Sequence, residues 1–74
     1  MKLPSLTPRE LISKLKKGGF VFDRQAKGSH EIWYNPVTCK RTVVPNHPGK
    51  DISKGTLRAI IKEAGLTLEE FLEL

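Results

Sequence analysis

No apolar run in this sequence approaches the roughly 18 residues that a membrane span requires. The opening Met1-Lys2-Leu3-Pro4-Ser5-Leu6 lacks the apolar stretch of a signal peptide. A single cysteine, Cys39, excludes an internal disulfide and fits a reducing compartment. These absences set the expectation of a cytoplasmic protein without membrane contact. Repeats, linkers and low-complexity segments are missing too, so residues 1–74 are expected to form a single domain. The loops hold no close pair of carboxylates. There is no glycine-rich phosphate loop leading into a helix, and no Ser/His/Asp order that suggests a triad. His30, Cys39 and His47 lack the close spacing of a zinc site, so no metal and no other cofactor is expected.

What is present is positive charge, unevenly placed. The chain carries +5 overall, with a pI near 9.7. Residues 1–50 hold ten basic and three acidic side chains (+7), and residues 51–74 hold three basic and five acidic ones (−2). A basic body with an acidic end suits a polyanion such as nucleic acid. The bland alternative is a soluble basic protein with no such partner. The core must be thin, because a chain this short buries only about 60% of its unfolded surface. A tightly bound partner would therefore add appreciably to its stability.

Thr7-Pro8-Arg9-Glu10 predicts a helix start, with Thr7 as cap, Pro8 at the first position and Glu10 closing a capping box. Leu6 and Leu11 stand where a hydrophobic staple needs them, and Leu11, Ile12 and Leu15 share a face. Lys14, Lys16 and Lys17 suit the negative end of the helix dipole, and Gly18-Gly19 stops the helix. Phe20–Gln25, His30–Tyr34 and Arg41–Val44 read as strands, joined by turns at 26–29 and 35–40. Connections this short imply an antiparallel meander. Phe20 with Phe22, Ile32 with Tyr34, and one of Val43 and Val44 are the expected core-facing residues. Ser53 caps a second helix, with Leu57, Ile60, Ile61 and Ala64 as its apolar stripe and Gly65 at its end. Thr67 and Glu70 frame a short last helix with Leu68, Phe71 and Leu72 inward. The expected fold is α+β, in the order α-β-β-β-α. Helices near 8–17 and 54–64 cover one face of a three-stranded antiparallel sheet and leave the other partly open.

Histidine titrates near neutrality, so His30 and His47 are the acid–base candidates. His30 follows Gly28-Ser29 at the head of a strand, with Arg24 and Lys27 close by in the same hairpin. A proton-transfer group, a backbone without side-chain bulk and nearby cations are what RNA cleavage by its own 2′-hydroxyl requires. A hydrogen-bonded structural histidine is the alternative. Trp33 and Tyr34 could stack on bases, but strand alternation lets at most one of them face the open side. Cys39 in a turn is most simply a bystander thiol.

Gly28-Ser29-His30 after Arg24, then Val44-Pro45-Asn46-His47, then Lys54-Gly55-Thr56-Leu57-Arg58-Ala59-Ile60 leading to Ala64-Gly65-Leu66, resemble the HicA toxin family in order and spacing. The opening helix closed by Gly18-Gly19-Phe20 is similar to that family too. The resemblance covers nearly the whole chain. It implies a double-stranded-RNA-binding-domain-like fold and an mRNA interferase toxin of a type II toxin–antitoxin module, one that cleaves mRNA and so stops translation and growth. It implies that His30 is the catalytic histidine, that no metal is needed, and that a HicB-type antitoxin binds over the His30 site. The expected RNA contacts are Arg24, Lys27, Gly28, Ser29, Lys40, Arg41 and His47. The free toxin is expected to be a monomer. Two other readings stay open at this point: a non-catalytic RNA-binding module of the same fold, and an adaptor whose main task is to bind a protein.

Overall fold

The computed structural model describes residues 3–74. Met1 and Lys2, where the segment read for a signal peptide begins, lie outside the described residues. Helix α1 spans Pro8–Lys17. The Thr7 hydroxyl accepts from the Glu10 N–H at 3.2 Å, and the Glu10 carboxylate accepts from the Thr7 N–H at 2.9 Å, so the capping box is complete. The helix ends where Phe20 N–H bonds the Leu15 carbonyl at 2.9 Å, a closure that needs Gly19 at φ 94°.

Three strands follow: β1 (Val21–Gln25), β2 (His30–Asn35) and β3 (Lys40–Pro45). They form one antiparallel sheet in the order β1-β2-β3, with β2 central. Helices α2 (Lys54–Glu63) and α3 (Leu68–Leu72) complete the chain, capped by Ser53 and by a Thr67–Glu70 capping box. A single bridge joins Leu6 to Ile52, with the Ile52 N–H on the Leu6 carbonyl at 2.7 Å, and it ties the segments that lead into α1 and α2.

The core lies between the helices and one face of the sheet. Leu11 and Leu15 of α1, Leu57 and Ile60 of α2, Phe71 of α3 and Val44 of β3 are completely buried or nearly so. Burying one such side chain stabilises the fold by about 1.5–3 kcal/mol. Ile61 and Ala64 are buried on the expected α2 stripe.

The strand faces depart from the sequence reading. Phe20 is buried but precedes β1, whereas Phe22 is half exposed and meets the Trp33 ring edge-on at 5.8 Å. On β2, Trp33 and Asn35 face the helices, so Ile32 and Tyr34 point the other way. The indole is the largest apolar surface on the strand, and its N–H finds the Glu31 carboxylate at 3.2 Å on the same face. On β3, Val44 is inward and Val43 outward. A register shift between Phe22 and Arg24 leaves Asp23 as the extra residue of a bulge in β1.

Candidate active site on the open sheet face

Tight turn chemistry presents His30. Residues 26–29 connect β1 to β2, and the turn closes where Ala26 N–H donates to the His30 carbonyl at 2.7 Å. The Gln25 side-chain amide donates to the carbonyls of Gly28 (3.1 Å) and His30 (3.0 Å), so one side chain pins both sides of the loop. Gly28 has φ 68°, and a Cβ there would meet open space. Glycine is therefore required for the backbone angle and not for packing.

The His30 ring lies 3.2 Å through Nδ1 from the Lys27 carbonyl. A carbonyl only accepts, so Nδ1 carries the proton in this bond. The neutral ring then has its lone pair on Nε2, which is the form of a proton acceptor. His30 is exposed.

The sheet brings the two distant sequence blocks together. His30 stands opposite Pro45, and one step on Asn46 N–H donates to the Ser29 carbonyl at 2.9 Å. On the other face the Asn46 amide donates to Glu31 at 2.7 Å, the same carboxylate that holds the Trp33 indole. Asn46 is thus clamped from both sides. His47 follows it on the surface and lines a shallow cleft with Pro45, Lys50, Ser53 and Thr56.

The cations sort by face. Arg24 is paired with Ile32 and Arg41 with Tyr34, so both share the open face with His30. The Arg41 guanidinium lies 4.5 Å from the centre of the Tyr34 ring, and its Nε reaches the Asp23 carboxylate at 3.4 Å. The neighbouring Cys39 side chain pushes the Tyr34 phenol above its ordinary pKa. Lys27 projects from the turn, exposed. Lys40 is the exception among the expected contacts. It pairs with Asn35 on the helix side, and its side chain runs beside Gly65, away from His30.

Three features of the site were not anticipated: the Gln25 clamp, the Glu31–Asn46 tie and the Asp23–Arg41–Tyr34 cluster. Only the last had a usable signal. With Pro36–Cys39 as the turn, Asn35 must face Lys40 and Tyr34 must face Arg41.

Among the described residues, no helix is long and apolar enough to cross a membrane. A comparison with curated proteins returns no match. Residues 8–66 match the HicA toxin of bacterial toxin–antitoxin modules, from the first residue of α1 to the turn beyond α2. The match includes the His30 hairpin and the Asn46 loop, which border the open face, and α2, which covers the other. On this match over most of its length, the chain belongs to the HicA toxin family.

Proposed function

We propose that this protein is a metal-independent endoribonuclease, an mRNA interferase that stops translation and growth, with His30 as its acid–base group. The observation that carries the reading is the hydrogen bond from His30 Nδ1–H to the Lys27 carbonyl, which puts the proton on Nδ1 of an exposed histidine and leaves the Nε2 lone pair without a protein partner among the described residues. In the reaction the RNA 2′-hydroxyl gives its proton to Nε2 and its oxygen bonds to the adjacent phosphorus. The bond from phosphorus to the 5′-oxygen breaks, and the leaving oxygen takes a proton from water. The products are a 2′,3′-cyclic phosphate and a 5′-hydroxyl. Acid–base catalysis by one positioned group contributes about 10²–10⁴-fold. Lys27 and Arg24, the cations of the His30 hairpin, supply positive charge for the phosphorane-like transition state, and Arg41, farther along the sheet, supplies it for the flanking phosphates. Gly28 and Ser29 let the RNA backbone approach, and His47 contacts RNA from the adjoining cleft.

The substrate is mRNA in the cytoplasm. A HicB-type antitoxin silences the enzyme by covering the neighbourhood of His30, and it is acidic where it meets Lys27 and Arg24. Family membership and the exposed, unshielded position of His30 support that partner. The test is induced expression of wild type and His30→Ala, scored for growth arrest, with cleavage of purified mRNA measured in EDTA. Growth arrest and EDTA-resistant cleavage by wild type alone are expected. Full cleavage by His30→Ala would remove His30 from the mechanism and make His47 the next candidate. RNA binding without cleavage by either protein would favour a non-catalytic module.

A further inference from the structure

His30 shares its face of β2 with Ile32 and Tyr34, and among the described residues no helix covers that face. Val21 of β1 and Val43 of β3 flank it, 50% and 40% exposed. Arg24 and Arg41 lie on it against a single acid, Asp23. The surface is thus partly apolar and net positive. On it the Arg41 guanidinium lies over the Tyr34 ring at 4.5 Å, and its Nε reaches the Asp23 carboxylate at 3.4 Å. The Arg41 side chain remains 58% exposed. An exposed ion pair of this length contributes little stability. Its effect is to orient a planar cation.

We propose that Tyr34 and Arg41 form a nucleobase-stacking subsite for a single-stranded RNA that runs along β2 from His30. The proposal rests on the ribonuclease reading for its direction, because His30 marks where the scissile phosphate sits. Aromatic rings and guanidinium planes are the groups on which unstacked bases rest, and a sheet face with exposed aromatics is a known geometry for it. In a duplex the bases are stacked inside and a flat platform cannot reach them, so the occupant is a single strand. His30 and Tyr34 are four residues apart on one face, or about 13 Å along the strand. The stacked base therefore belongs to a nucleotide beyond those joined by the scissile phosphate. The Tyr34–Arg41 platform reads a flanking base and not the bond that is cut. A protein partner would find two guanidinium groups here with only one acid to offset them. A polyanion with flat rings complements both features.

The test uses the full chain carrying His30→Ala, so that RNA stays uncut, and an unstructured eight-nucleotide RNA followed by fluorescence anisotropy. Adding Tyr34→Ala should weaken binding about tenfold. Tyr34→Phe keeps the ring and should stay within about twofold of the parent. Tyr34→Ala should leave the salt dependence unchanged, because no phosphate contact is lost. Arg41→Lys keeps the charge but not the plane, and should also weaken binding with the salt slope retained. With 2-aminopurine placed at successive positions of the RNA, fluorescence quenching should appear at one position and vanish in Tyr34→Ala. Quenching that persists in Tyr34→Ala, quenching at no position, or equal losses in Tyr34→Phe and Tyr34→Ala would overturn the subsite. So would a Tyr34→Ala protein that binds RNA normally while losing its antitoxin, since the face would then belong to a protein. These readouts need no cleavage. If wild type proves unable to cut RNA, the ribonuclease reading fails alone and the stacking subsite is still decided by binding.

Discussion

The two faces of β2 differ in every property except their backbone. Glu31, Trp33 and Asn35 point toward the helices, and His30, Ile32 and Tyr34 point away. On the covered face each polar group has a fixed partner. Asn35 donates to the Gly18 carbonyl at 3.2 Å and accepts from the Val37 N–H at 2.9 Å, while Thr42, across from Trp33, donates to Glu63 at 3.0 Å. No buried side-chain polar atom among the described residues lacks a hydrogen bond. On the open face His30, Arg24 and Arg41 are exposed, and Tyr34 is half-buried. Alternation along one strand thus separates what holds the domain together from what it presents to a partner. In a chain of 74 residues that economy matters, because the thin core has no strand to spare.

The sharpest way to break this division is at His30. His30→Ala should lower RNA cleavage by at least about 10²-fold. Its stability should stay within about 0.5 kcal/mol of wild type, as is usual for an exposed position. A melting curve that shifts as far as the activity falls would show that the open face also carries the fold.

Next come the neighbours Trp33 and Tyr34, one residue apart and on opposite faces. Trp33→Ala should cost about 3–5 kcal/mol by urea denaturation, from the lost contacts and the cavity left. That is a large share of the roughly 5–15 kcal/mol typical of a whole domain. Tyr34→Ala should cost about 1 kcal/mol or less. Equal losses would mean that Tyr34 is also part of the packed core.

Gln25 lies at the end of β1, where the sheet meets the His30 turn. Gln25→Ala removes two hydrogen bonds to carbonyls and should cost about 1 kcal/mol. Amide exchange should speed up at Ala26, whose N–H closes the turn, and cleavage should fall, though by less than in His30→Ala. Unchanged exchange at Ala26 would show that the backbone alone holds the loop.

Lys27→Ala should make binding to single-stranded RNA less salt-dependent, by about 0.7 in the log–log slope for one lost phosphate contact. The carbonyl that holds His30 is backbone and survives the change. An unaltered slope would exclude Lys27 from the RNA path.

The smallest effect lies far from the site. Hydrogen bonds from the Thr7 backbone and then its side chain lower the Glu10 pKa. A carboxyl with a depressed folded-state pKa contributes stability above its unfolded pKa and loses it as the pH falls through the folded one. Glu10→Gln should therefore remove a small acid-side slope from the stability curve of wild type and leave RNA binding alone.

Much of this was legible in the chain because it is local. Thr7 with Glu10, and Thr67 with Glu70, specify helix starts through contacts three residues apart. The Gly18-Gly19 stop and the Gly28 turn follow from backbone angles that glycine adopts at little cost. His30 stood out by residue type and by the turn before it. Lys40 looked equivalent to Arg41 in sequence, yet adjacent strand residues face opposite ways and only Arg41 joins His30.

The order of elements, their ends and the hairpin that carries His30 are set along the chain, since each depends on neighbours within a few residues. Which face of β2 turns inward was decided only by the tertiary structure. His-Glu-Ile-Trp-Tyr-Asn offers apolar residues on both faces, so alternation alone is ambiguous. The helices choose by covering the face on which Trp33 is buried and Asn35 is satisfied by Gly18, and that choice leaves Tyr34 outside. The meeting of Ser29 with Asn46 is likewise a product of the β2–β3 ladder. Those residues lie seventeen apart in sequence and become neighbours only because each step of paired backbone determines the next.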